Sequence, residues 1–308
     1  MIVTLAGGVG AARFLEGLMR AAPPASITVI VNIGDDIDLY GLRISPDLDI
    51  VMYTLAGLID PQQGWGIQGD TYHTLEMLKR YGHDTWFLLG DRDLATHLHR
   101  TQLMQQGHTL SEVSDQIRQS LGLESRFLPM SDQRVTTRIV TPTGTMHFEE
   151  YFVQRRASEP VEAVQFDGIE QAQPAPGVLE AIAGAEAIIL APSNPIVSIG
   201  TILAVPGIHE ALRETAAPIV AISPIVGGTT IKGPADKMLR GLGFEVSAVG
   251  VAQVYRDFLD VLIIDQVDAA LAPAIEALGM RVVVMDTIMR GLPEKEALAR
   301  AALAAVKQ

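Results

Sequence analysis

The chain has 308 residues, with Lys+Arg 23 against Asp+Glu 36 and a formal net charge of −13. It is 48% hydrophobic, only 5% aromatic and free of cysteine. That describes an aliphatic globular core and excludes disulfide frameworks, thiolate nucleophiles and cysteine-ligated metal centres. The charge sign argues against a nucleic-acid partner, and no apolar run reaches the roughly 18 residues of a membrane span, so the expectation is a cytoplasmic protein.

Met1–Leu5 reads as a buried strand, followed by Gly7, Gly8 and Gly10. From Ala11 the apolar period becomes helical, with Phe14, Leu15, Leu18 and Met19 on one face, and Pro23-Pro24 ends that helix. Ile27–Val31 is a second strand, rich in β-branched residues. Strand, glycine turn, helix, strand opens a βαβ unit and so a parallel sheet. In the middle, Asp70 is expected to cap a helix reaching about Tyr81, and Asp93 to start one reaching about Gln106. Thr109-Leu110-Ser111-Glu112 forms a capping box. Val135–Val140, a Pro142-Thr143-Gly144 turn and Met146–Val153 read as a hairpin. Ala187–Leu190, Pro218–Ile222, Leu259–Ile264 and Val282–Met285 follow as buried strands, separated by amphipathic helices, and an alanine-rich helix covers about 294–306. Residues 1–308 therefore predict one α/β domain: a Rossmann-like, mostly parallel sheet with helices on both faces. A helical and β-hairpin insertion over about residues 55–165 covers a ligand cleft.

Four segments could carry chemistry. Gly7, Gly8 and Gly10, between the first strand and helix, would let a phosphate approach the backbone at a helix N-terminus. The alternative is a tight turn with glycines for packing only. The spacing is neither GxGxxG nor a P-loop, so a nicotinamide or ATPase site has little support. Asn32 with Asp35, Asp36 and Asp38, followed by Asp47 and Asp49, clusters carboxylates on loops at strand ends. Such a cluster suits a hard cation held partly by substrate phosphates, although turn-forming and helix-capping Asp is the competing explanation. In Gly90-Asp91-Arg92-Asp93, two acids could orient the guanidinium as a phosphate clamp, or Asp93 could simply cap a helix. Ser193 and Asn194, flanked by Pro192 and Pro195, end a parallel strand and so face the crevice. Trp65 among glycines could stack on a planar heterocycle. Lys232 reads as a solvated loop lysine.

These segments occur in a recognisable order. Gly7-Gly8-Val9-Gly10 with Arg13-Phe14-Leu15, Asn32-Ile33-Gly34-Asp35-Asp36, Ser45-Pro46-Asp47-Leu48-Asp49, Gly64-Trp65-Gly66, Gly90-Asp91-Arg92-Asp93 and Pro192-Ser193-Asn194-Pro195 together resemble the 2-phospho-L-lactate transferase family of deazaflavin coenzyme F-420 biosynthesis. The resemblance runs from residue 1 to about 265 and is closer to the bacterial branch.

It implies a magnesium-dependent transferase of the phosphotransferase class. A guanosine-diphospho three-carbon acid would give its phospholactate or phosphoenolpyruvate unit to the ribityl hydroxyl of 7,8-didemethyl-8-hydroxy-5-deazariboflavin, releasing GMP. The implied roles are Asp35, Asp47 and Asp49 on Mg2+; Asp49 and Arg92 in catalysis; and Gly7, Gly8, Gly10, Asn32, Asp36, Asp47, Asp91, Ser193 and Asn194 in substrate binding. No single Asp stands out as the base. A homodimer is implied too. The rival is a nucleotide-sugar-binding metabolic regulator with a related Rossmann-like fold.

Overall fold

A computed structural model describes residues 1–307. Seven parallel strands form the main sheet: β1 (Ile2–Ala6), β2 (Ile27–Val31), β3 (Arg126–Pro129), β4 (Ala187–Leu190), β5 (Ile219–Ile222), β6 (Val261–Asp265) and β7 (Arg281–Met285). Their spatial order is 7-6-5-4-1-2-3. Read from the other edge this is the doubly wound order 3-2-1-4-5-6 with one strand added, and its direction reverses between β1 and β4. Both neighbours run in register with β1, Leu5 opposite Ile30 on one side and Leu190 on the other. A strand with helices over both faces has no polar side, and β2, β4, β5 and β6 are buried at every position.

Helix α1 (Gly8–Ala21) buries Phe14, Leu15 and Leu18 and packs against the C-terminal helix Leu292–Ala305. The approach is close: a Cβ at Gly17 would stand 2.1 Å from the Lys295 carbonyl oxygen. The Thr109 capping box forms at the start of helix Leu110–Ser120. Among the described residues no helix is long and apolar enough to cross a membrane.

The expected insertion differs in one respect. Strand β3 lies inside the 55–165 span and belongs to the main sheet, so the additions form two lobes rather than one. The first occupies the β2-to-β3 crossover. It contains the hairpin Ile37–Leu39/Leu42–Ile44, α2 (Pro46–Leu55), α3 (His73–Arg80) and α4 (Asp93–Gln105). Ile37, Ile44, Leu89 and Leu94 give this lobe a small core of its own. The second lobe, the three-stranded sheet Thr136–Thr141, Gly144–His147 and Ala163–Asp167, shares the main core through Val135, Ile139 and Met146. The strand expected over Met146–Val153 stops at His147, and a single π-helical turn, Glu150–Gln154, follows. β3 was illegible because it is four residues long, sits at the sheet edge and ends in Pro129.

Candidate active site

A cavity of about 470 Å³ opens at the C-terminal ends of the parallel strands. Loops after β1, β4, β5 and β7 line it, with α2, α4 and residues 148–153 of the second lobe. This is the crevice that the strand order demands. The β1 and β4 loops touch there. The Gly7 amide donates to Ser193 Oγ at 3.2 Å, and a Cβ at Gly10 would meet the Pro192 carbonyl oxygen at 2.3 Å. Gly8 has φ +73, in the left-handed region. α1 has no acid in its first turn and no side-chain cap. Asn194 uses Oδ1 to accept from the Ile196 and Val197 amides, while its Nδ2 is buried without a partner.

The carboxylates divide by environment. Asn32 Nδ2 donates to Asp35 Oδ2 at 3.0 Å and to Asp47 Oδ2 at 2.9 Å. Its own Oδ1 accepts from the Gly34 amide, which fixes the amide orientation. Burial pushes the Asp35 carboxyl well above its ordinary range, and the Asp47 charge pushes it further. Asp35 Oδ1 is buried with no hydrogen-bond partner among the described residues, while the nearby Thr137 hydroxyl opposes part of the rise. Burial raises Asp47 to about 7, with Asn32 partly opposing it. Glu149 joins this group from the second lobe. It is raised to about 8 by burial and by the charge of Asp47. Asp36 stands behind them, raised by burial to about 6 and held by Arg43 and by Ser45 Oγ, which donates at 2.7 Å.

Asp49 is placed differently from the expected metal triad. Its carboxylate pairs with both terminal nitrogens of the fully buried Arg100. The reason is helical geometry. Asp47 and Asp49 are two residues apart in the first turn of α2, and residues at that spacing do not share a face. Asp49 still borders the cavity beside His97 and Asp93. His97 Nδ1 accepts from Arg100, and Tyr53 donates its hydroxyl to Asp93 at 2.9 Å.

The buried Asp91-Arg92-Asp93 clamp is not formed. Asp91 accepts from the Thr71 hydroxyl at 2.6 Å and from the Thr74 and His73 amides at 2.9 and 3.0 Å, and these bonds, the Thr71 one foremost, hold its carboxyl far below the ordinary range. Asp70 in turn accepts from the Arg92 and Asp93 amides at 2.9 and 3.1 Å. Each loop acid therefore caps the other's helix: Asp91 caps α3, and Asp70, not Asp93, caps α4. Arg92 is exposed, and among the described residues its guanidinium reaches the Gln68 carbonyl alone.

Of the expected residues, Gly7, Gly8, Gly10, Asp35, Asp47, Asp49, Ser193 and Asn194 line the cavity; Asn32 and Asp36 back it; Asp91 and Arg92 lie outside it. Trp65 borders it as well, and Trp86, Phe87, Phe148 and Phe152 supply an aromatic wall. Sequence reasoning missed Glu149. The available signal was an acid pair, Glu149-Glu150, inside an apolar stretch. It also undervalued Arg13 and Lys232, both of which border the cavity.

The family model described as 2-phospho-L-lactate transferase CofD matches residues 2–301. The pattern therefore continues past residue 265 through the last strand and into the C-terminal helix. A phosphoenolpyruvate transferase of Streptomyces griseus is 50% identical, with 98% of this chain and 97% of that protein covered. A 2-phospho-L-lactate transferase of Methanosarcina mazei is 39% identical, with 97% and 98% covered. A crystal structure of a UPF0052-family protein from Bacillus halodurans superposes with TM-score 0.68 at 18% identity, covering 98% of both chains; that likeness concerns the fold alone.

Proposed function

The chain belongs to the 2-phospho-L-lactate transferase family, and on that premise we propose that it transfers a phosphorylated three-carbon acid from a guanosine-diphospho donor to the ribityl hydroxyl of 7,8-didemethyl-8-hydroxy-5-deazariboflavin, with release of GMP. One observation carries the reading. A glycine turn at a helix N-terminus and a set of buried carboxylates linked by Asn32 meet in a single cavity. Phosphoryl transfer asks for positioning and charge neutralisation rather than a covalent nucleophile, and this cavity is equipped for that.

Asp35 and Asp47, with Glu149 beside them, are the residues that would hold magnesium. Their fit rests on the buried Oδ1 of Asp35, which has no partner among the described residues, and on carboxyls that burial and the charge of neighbouring carboxylates hold up in pKa. When bound, the ion supplies charge neutralisation at phosphate oxygens. Asn32 orients both carboxylates. The amides of the glycine turn face the diphosphate, and the aromatic wall of Trp86, Phe87, Phe148 and Phe152 packs against the acceptor's ring system. Higher identity to the phosphoenolpyruvate transferases favours that unit over phospholactate. A cytoplasmic homodimer completes the proposal.

The test is one assay of purified protein with the deazaflavin acceptor, magnesium and each guanylylated three-carbon acid, read by mass spectrometry. The expected result is a phosphodiester product and GMP, lost in excess chelator and restored by magnesium. Absence of product with every donor refutes the activity; full turnover in chelator refutes the metal.

A further inference from the structure

The cavity carries two cations that the chain's many acids leave alone. Asp+Glu outnumber Lys+Arg by 36 to 23, yet neither Arg13 nor Lys232 has a carboxylate at ion-pair distance among the described residues. Arg13 donates to the Met289 backbone carbonyl and Lys232 Nζ to the Gln63 carbonyl at 3.0 Å. Neutral carbonyls orient both groups without cancelling their charge. The two are also close enough to repel: partial desolvation and the Arg13 charge lower the Lys232 ammonium from its ordinary value. Two like charges held together without a counterion cost free energy, and a bound anion recovers it.

Their position gives the anion's shape. A Cβ at Gly64 would stand 3.2 Å from Lys232 Nζ and 3.3 Å from Val9 Cγ1, so the ammonium reaches the Val9 end of the glycine turn. Asp47 stands against Gly7 and Gly8 at the other end. An anion bridging the turn therefore meets carboxylates at one end and cations at the other. We propose that Arg13 and Lys232 form a two-cation clamp for a diphosphate at the Val9 end of the glycine turn. This deepens the transferase reading and rests on it for the identity of the ligand: the clamp takes the guanosine-side phosphate, where negative charge accumulates as the bond to phosphorus breaks and the oxygen leaves with GMP. The transferred phosphorus then lies toward Asp35, Asp47 and Glu149.

The test uses inorganic pyrophosphate and GMP as separate probes, titrated calorimetrically without magnesium into the full chain, Lys232→Met, Lys232→Arg and Arg13→Gln. Lys232 is exposed at the rim, so its variants should melt with the wild type, whereas Arg13→Gln also loses its tie to Met289. Pyrophosphate affinity should fall about tenfold or more in Lys232→Met, as for loss of one charge-assisted hydrogen bond, and recover in part in Lys232→Arg. Wild-type pyrophosphate binding that is unchanged in folded Lys232→Met and Arg13→Gln, or no pyrophosphate binding by the wild type at all, overturns the clamp. Clamp and substrate reading fail separately: pyrophosphate binding that depends on Lys232, with no GMP binding, keeps the clamp and removes guanosine. GMP binding indifferent to both cations keeps guanosine and removes the clamp.

Discussion

Two acid-rich parts of the molecule look alike in sequence and opposite in structure. Asp70 and Asp91 sit in the loops before α3 and α4, where backbone amides of the facing helix satisfy them. In the cavity Asp35 and Asp47 share the side-chain amide of Asn32, with Glu149 beside them and no ion-paired cation among the described residues. The first set is consumed by helix ends, which always offer orphan N–H groups. The second set is held against the cost of burial, with carboxyls raised to about 7 and 8 at Asp47 and Glu149. Unspent bonding capacity, rather than the number of acids in a segment, separates a site from a scaffold.

Asp49 tests that distinction most severely, because it is buried, borders the cavity and is fully partnered. Asp49→Asn should leave Arg100 as an uncompensated buried charge and cost about 3–5 kcal/mol of stability, read by chemical denaturation. An Asp49→Asn chain of normal stability whose turnover collapses would move Asp49 into the cavity set. Asp47→Asn should do the reverse. Turnover should fall about 10²–10³-fold, roughly 3–4 kcal/mol by analogy with loss of a preorganised electrostatic contact. Melting temperature should hold or rise, since a buried charge is removed.

The same contrast has a pH signature. Carboxyls whose folded pKa lies above the unfolded value of about 4 bind more protons in the native state between that pH and the folded pKa. The stability these groups contribute to the metal-free chain should therefore be fully present below about pH 4 and fall by several kcal/mol toward pH 8, as Asp36, Asp47 and Glu149 ionise inside the fold. Thermal melts across that range, with and without magnesium, measure it; the metal should flatten the slope. A profile that rises toward pH 8 without metal would show these groups to be charge-compensated after all. The smallest effects belong to the capping region. Asp91→Ala should cost about 1 kcal/mol through the lost α3 cap with turnover per folded molecule unchanged. Arg92→Gln should stay within about 0.5 kcal/mol and keep its turnover. A hundredfold loss in Arg92→Gln would restore the phosphate clamp that the Asp91-Arg92-Asp93 spacing suggests.

The parts of the molecule that were legible follow local rules. β1, α1, β2 and the later strands announce themselves by period, and the crevice follows from where strand-end loops must lie in such a sheet. Gly7, Ser193 and Asp47 could be assigned to one place because each immediately follows a parallel strand or opens the helix beside one. What could not be read depends on distant partners. Nothing local says that Asp70 caps the helix at Asp93, or that Arg100, fifty-one residues on, pairs with Asp49. Glu149 was hidden because the expected strand ends at His147 and the chain turns there, which leaves Glu149 at the cap of the π-helical turn and facing the cavity.

The cavity draws on residues from Gly7 to Met289, and that span sets a schedule for synthesis. At about 5–20 residues per second, the glycine turn is made on the order of 15–55 s before its last neighbour. β1 emerges well before its partner β4, which does not appear until residue 187. Until then a strand interior to the finished sheet is an open edge in the nascent chain, free to pair with another. The doubly wound order that places the ligand crevice beside β1 thus also makes β1 the strand most in need of protection on the ribosome.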